Sequence, residues 1–293
     1  MQLSLPSVAQ TQRGIHLMLG AVVCFTAMDA VAKGLIATYS TPMVIFARFV
    51  VMLIIVLALK WRDVTKLLQT RYLGLHILRS LLQFATVYLF FRSLSHIGLA
   101  EAQALTDINP VLITLGAAVF LGEKLGPHRI AAIVVALIGA MIIIRPGLGV
   151  FSTAALLPLA AAVTYSAASL ITRKVGAVES PWTAMLYASF IGSFASLLPL
   201  PFVWQPVAVA DSWRFILLGA LGTGAQLLII RSFSLAEASV VAPFAYFGLI
   251  MAVFWGIVLF GEYPDFPTVI GALVIVMAGL YVWHRETRAA RKA

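Results

Sequence analysis

The chain is poor in the residues that carry most soluble and covalent chemistry. Of 293 residues only 11% are charged and one is a cysteine. A soluble domain has about 25% charged and about 45–50% apolar residues. Here the apolar share is 62% and the mean hydropathy +1.02. Cys24 stands alone in an apolar run, which excludes a disulfide framework and a cysteine-based metal site. No His-Glu-x-x-His, Gly-x-Ser-x-Gly or Gly-x-x-x-x-Gly-Lys-Ser/Thr occurs. Zinc-protease, serine-hydrolase and directly ATP-driven readings lose their basis. An intramembrane enzyme would need a nucleophile with a base, or clustered metal ligands. The histidines are scattered, and only His76 falls well inside an apolar stretch. Long polar linkers are missing too, which argues against a receptor or scaffold with extramembrane domains. No metal, cofactor or nucleic-acid partner is expected.

What the chain has is long apolar runs. A bilayer core asks for about 20 apolar residues per helix, and hydropathy places spans near 15–36, 43–60, 73–94, 99–121, 127–145, 154–175, 183–204, 214–233, 237–260 and 267–284. Turn or charge chemistry separates them, at Thr41-Pro42, Lys60 to Asp63, Gly122-Glu123-Lys124, Arg145-Pro146-Gly147, Glu179-Ser180-Pro181 and Gly261-Glu262. The first run is too long for a cleaved signal and is read as a retained span. With the N-terminus inside, fourteen basic residues fall on the cytoplasmic face: Arg13, Lys60, Arg62, Lys66, Arg71, Lys124, Arg129, Arg173, Lys174, Arg231, Arg285, Arg288, Arg291 and Lys292. Only Arg92, Arg145 and Arg214 face the other side, while Lys33, Arg48 and Arg79 lie within spans. This bias predicts a multi-pass protein of a bacterial-type inner membrane with both termini cytoplasmic. The net charge of +9 is therefore mostly topology, and the lipid bilayer is the expected partner surface.

The two halves repeat. Arg92-Ser93 precedes Gly122-Glu123, and Arg231-Ser232 precedes Gly261-Glu262, with 31 residues from Arg to Glu in both. Ala-Glu-Ala recurs between these landmarks, at 100–102 and 236–238. Five spans per half is an odd number, so the second copy must be inverted, an arrangement common among secondary transporters. The expected fold is an all-α polytopic membrane protein of ten transmembrane helices in two inverted five-helix repeats, 15–145 and 153–284, followed by a basic cytoplasmic tail at 285–293.

Ten spans in two halves, the Gly-Glu closing spans four and nine, and Ala-Pro-Phe-x-Tyr at 242–246 resemble the EamA branch of the drug/metabolite transporter superfamily. The likeness covers residues 15–284 and is nearest to the YddG-type amino-acid exporters. It implies secondary export or facilitation of small metabolites, amino acids and aromatic ones among them, by alternating access at the repeat interface. Efflux of lipophilic cations or drugs is the alternative.

Ionisable and amide groups inside a span should face a cavity or a partner. Asp29 and Lys33 stand at i and i+4, one helix face, and are expected to form a charged pair. His76, Arg79, Gln83 and Thr86 make one polar stripe on span three. Span four carries Gln103, Thr106, Asp107, Asn109 and Pro110, and span nine carries Pro243 and Tyr246. Paired proline breaks in the two halves point to a binding site between them. Asp107 beside its break could pair with Arg79 or Arg48, or bind a proton or a substrate amine. The expected cavity is lined by Gln83, Thr86, Tyr88, Thr106, Asp107, Tyr165, Ser169, Gln226, Tyr246 and Trp255. Glu123 and Glu262 read as caps or gate anchors. The small residues of spans five and ten (Ala132, Ala136, Ala140, Gly271, Ala278, Gly279) read as packing and offer a route to an oligomer.

Overall fold

The computed structural model describes residues 8–121, 127–145, 153–175, 179–236 and 238–290. Gly122, Glu123, Lys124, Pro146, Gly147, Glu237, Arg291 and Lys292 lie outside the described residues, as do the side chains of Arg129 and Arg288. All regular structure among the described residues is helical. The helices are α1 (Val8–Ile36), α2 (Thr41–Lys60), α3 (Val64–Leu68), α4 (Leu73–Leu94), α5 (Leu99–Thr106), α6 (Asn109–Leu121), α7 (Pro127–Ile144), α8 (Leu156–Val175), α9 (Pro181–Leu197), α10 (Leu200–Val203), α11 (Ser212–Leu235), α12 (Ala238–Val241), α13 (Phe247–Phe260) and α14 (Phe266–Ala290).

Eight helical segments are long and apolar enough to cross a membrane, and Ile130–Ile144 within α7 is a shorter apolar one. The span expected at 183–204 is α9, 17 residues long, followed by α10 after Pro199. Prolines explain the shortening: Pro181 opens α9, and Pro199 and Pro201 interrupt its far end by removing amide donors. Spans four and nine are likewise not single rods. The first breaks at Asp107 and Ile108 between α5 and α6, with Pro110 just inside α6. The second runs through α12, a 3-10 turn at Ala242–Tyr246 containing Pro243, and then α13.

Neighbours pair in a pattern that is preserved when the halves are exchanged. Helix α1 packs on α11 and α8 on α4; α4 packs on α9 and α11 on α2; α6 packs on α8 and α13 on α1. The α2–α9 and α7–α14 contacts map onto themselves. This is the packing of a two-repeat fold. The α7–α14 seam consumes the small residues of spans five and ten within one chain. A Cβ at Gly139 would meet the Gly271 carbonyl at 2.9 Å, and one at Gly271 would meet that of Gly139 at 2.6 Å. Ala132, Ala136, Ala140 and Ala278 are buried. The outward rows of these two helices are large apolar side chains such as Leu137, Met141, Leu273 and Met277.

The Gly-Glu pair after α13 has a geometric reason. Gly261 adopts a left-handed φ of 65°, the conformation glycine takes at no Cβ cost. Its amide donates to the Ile257 carbonyl at 3.1 Å, and the Glu262 amide donates to that of Gly256 at 3.0 Å. The turn sends the Glu262 side chain onto the start of α5. There Oε2 accepts the Leu99 amide at 3.0 Å, an anion on a helix N-terminus.

Candidate functional site

A cavity of about 840 Å³ lies between the halves. Helix α4 presents its whole polar stripe to it: His76, Arg79, Gln83 and Thr86. Thr106, Asp107, Tyr165, Ser169 and Gln226 also line it, together with Asp29. It runs from the level of Asp29, Arg48 and Asp107 to the ends of α4, α9 and α11, where His76, Glu179, Ser180, Pro181, Phe233 and Ser234 form the rim.

Four expectations are corrected. Lys33 does not pair with Asp29; its Nζ lies 2.6 Å from Glu262 Oε1 and donates to the Ile97 carbonyl at 2.8 Å. Residues i and i+4 share a face, but Lys33 sits near the helix end, where its long stem reaches the turn after α13. Tyr88 is 38% exposed on the outside of α4, and it stacks on Phe84 rather than lining the cavity. Trp255 spends its indole N–H on Thr26 Oγ1 at 3.3 Å and packs edge-on to Phe254. Tyr246 turns its ring toward α14, where its hydroxyl occupies the space that a Cβ at Gly279 would need. Pro110 and Pro243 shape the breaks and do not touch the cavity.

Two residues outside the expected cavity lining belong to the site. Arg48 faces the cavity from α2, with its guanidinium 5.8 Å from the Phe49 ring and 5.4 Å from the Phe91 ring. It is the cation that acts on Asp29. Among the described residues neither side chain has a hydrogen-bond or ion-pair partner. An arginine in mid-span was itself the signal, since such a charge must face a cavity or a partner. Glu179, placed by hydropathy in a loop, bends back onto the rim. Its Oε2 lies 2.6 Å from His76 Nε2, and its Oε1 accepts from Thr70 Oγ1 at 2.5 Å. Nothing in the sequence ties position 179 to position 76.

Partial burial pushes the Glu179 carboxyl up, but the hydrogen bonds from Thr70 and His76 and the nearby imidazole outweigh it. The net effect holds it below the ordinary glutamate range. A depressed folded value contributes stability that is present above the unfolded value and lost as pH falls through the folded one. Thermal unfolding in detergent should therefore show an acid-dependent loss below the ordinary glutamate range, about pH 4.3. Glu179→Gln should remove that component; an unchanged pH profile in the variant would refute the assignment.

The far end is closed. Leu35, Phe90, Phe91, Leu94, Ile97 and Leu99 are buried together there, beneath the Lys33–Glu262 pair. Tyr39 donates to Asp211 Oδ2 at 2.9 Å, and Arg145 bonds Asp265. A polar chamber reaching one end and sealed at the other, built from two interleaved repeats, is what alternating access requires. The profile of the EamA-like transporter family matches residues 12–145 and 152–283.

The chain belongs to that family. As an EamA-family protein it is a multi-pass membrane transporter of small molecules and not an enzyme. A riboflavin transporter of Vibrio cholerae is 30% identical over 286 residues, covering 96% of each chain. The pseudopaline exporter CntI of Pseudomonas aeruginosa is 26% identical, covering 90% of this chain and 94% of its own. An S-adenosylmethionine uptake transporter of Rickettsia bellii is 25% identical, covering 95% and 96%. A solved crystal structure superposes with a TM-score of 0.61 at 19% identity, over 94% of this chain and 98% of that one, which shows a shared fold.

Proposed function

We propose that this EamA protein moves a metabolite with a zwitterionic, amino-acid-type head and a larger polar or aromatic body. The observation that carries this is the Asp29–Arg48 arrangement. Two opposite charges face one chamber without a direct bond to each other, so an ammonium can take the carboxylate and a carboxylate the guanidinium. Arginine suits the second role because its planar fork meets a carboxylate with two parallel bonds. Gln83, Gln226 and Tyr165 add neutral polar groups around the same space. These hold a substrate without a further fixed charge, which favours release.

Size bears on the body of the substrate. At about 840 Å³ the chamber is near the top of the range for drug-sized ligands, about 300–1,000 Å³. The free aromatic amino acids expected of a YddG-type exporter carry the right head but fill little of it. S-adenosylmethionine and pseudopaline, carried by relatives, combine an amino-acid head with a larger body. In this reading the units 15–145 and 153–284 exchange conformations about the chamber. The positive-inside bias puts the His76–Glu179 rim, both termini and the tail 285–293 on the cytoplasmic side.

The test is saturable flux in ATP-free liposomes for a panel of S-adenosylmethionine, aromatic amino acids, riboflavin and a lipophilic cation. At least one zwitterion should be carried and should compete with the others. Flux of riboflavin or the cation alone, with no zwitterion carried or competing, would overturn the head-group assignment.

A further inference from the structure

Six buried side-chain polar atoms among the described residues lack a hydrogen-bond partner, and three of them lie at the two helix breaks: Asp107 Oδ2, Asn109 Oδ1 and the Tyr246 hydroxyl. Asp107 and Asn109 flank the turn between α5 and α6, and Tyr246 closes the 3-10 turn of the opposite half. Asp107 and Tyr246 are close enough to act on each other electrostatically. The carboxylate and amide oxygens can only accept, and the Tyr246 hydroxyl, which could donate, reaches neither of them. A buried acceptor left unmade costs about 1–3 kcal/mol, and a charged one more.

Among the described residues no cation supplies what is missing. Gln103 Nε2 donates to Asp107 Oδ1 at 2.8 Å, which leaves Oδ2 untouched. Arg48 acts on Asp29, and Lys33 is held by Glu262. Arg79 donates to Thr172 Oγ1 at 2.7 Å and to the Ala184 carbonyl at 3.1 Å. Of the titratable groups, Tyr246 from the 3-10 turn interacts with Asp107, while Tyr165 from α8 lines the same cavity and interacts with Arg79; α13 brings Gly248 to Gln103, and α14 brings Gly279 to Tyr246. An unpaired carboxylate out of water must find a counter-charge or become neutral.

We propose that Asp107 is the proton-binding carboxyl that couples this transporter to the proton gradient. A proton from the cavity water forms an O–H bond at Oδ2, which neutralises the carboxylate and removes the cost of a buried charged acceptor left unmade. The bond breaks, and the proton returns to water, when the breaks rearrange to expose the opposite face. Sodium fits less well, because the Gln103 amide already points its N–H group at the carboxylate. The site rests on the alternating-access reading for its role in transport, but not for its occupancy.

An apolar carbodiimide tests occupancy without a substrate, because it adds to protonated carboxyls in apolar surroundings. Mass spectrometry of the purified full chain should find the adduct on Asp107, forming several-fold faster as pH is lowered from mildly alkaline to neutral. Asp107→Asn should lose the adduct and Asp107→Glu should keep it. A folded, monodisperse protein left unmodified at Asp107 would overturn the proposal. So would suppression of the adduct by sodium chloride but not by potassium chloride at equal ionic strength, which would make this a sodium site. Either failure leaves the zwitterion panel to be judged on its own result.

Discussion

Lys33→Met should open the sealed end of the chamber. Lys33 Nζ holds both Glu262 Oε1 and the Ile97 carbonyl, and Glu262 in turn caps α5 through the Leu99 amide. One ammonium therefore ties α1 to the ends of both broken helices. Losing charge-assisted hydrogen bonds of this kind costs about 1.5–3 kcal/mol each, and about 1.4 kcal/mol is a factor of ten in an equilibrium. The conformation with this end open should gain an order of magnitude or more in population. The readout is a cysteine at Leu35, fully buried behind the pair, introduced with Cys24→Ser and challenged with a membrane-impermeant thiol reagent from that side. Labelling should rise at least tenfold in Lys33→Met. The exchanged pair, Lys33→Glu with Glu262→Lys, should not restore protection. Lysine cannot accept the Leu99 amide, and glutamate cannot donate to the Ile97 carbonyl. Wild-type protection in the exchanged pair would show that the ionic contact alone closes this end.

That latch also marks where sequence reasoning stops. Gly261-Glu262 was recognisable as a repeat landmark because a left-handed glycine at a helix end is a local requirement. The partner of Glu262 was not, because Lys33 lies 229 residues away and only the packed bundle brings the two together. The i,i+4 rule favoured Asp29, a neighbour on the same helix whose side chain instead turns to the chamber and Arg48. The α4 stripe was legible for the opposite reason. A single helix fixes which of its residues share a face, so His76, Arg79, Gln83 and Thr86 arrive at the cavity together. Aromatic rings carry no such direction. Tyr88, Tyr246 and Trp255 each pack their rings elsewhere, and a ring in a span has several surfaces on which it can do so. Glu179 was invisible because its partner His76 lies 103 residues away on another helix.

Replacing Arg48 separates folding from transport at the other end of the chamber. Arg48→Ala leaves Asp29, which is 8% exposed, without the one cation that acts on it. A buried charge left without its counter-charge is destabilising, so the thermal midpoint in detergent should fall clearly. Gly222 shows how tightly the arginine is accommodated, since a Cβ there would lie 3.6 Å from Arg48 Nε and 2.7 Å from Met28 Sδ. Arg48→Lys keeps the charge but loses the planar group set against the Phe49 and Phe91 rings, and is not conservative at such a site. The informative variant is Asp29→Asn with Arg48→Gln, which removes both charges and leaves neutral amides in their place. It should recover most of the stability lost in Arg48→Ala, because neither partner is stranded. Zwitterion flux should nevertheless stay at the level of empty liposomes, because nothing remains to receive the two ends of the head group. Wild-type flux in that double variant would make the pair a structural device and move the head-group site elsewhere in the chamber. Lost stability together with lost flux would place its main role in holding α1, α2 and α11 together.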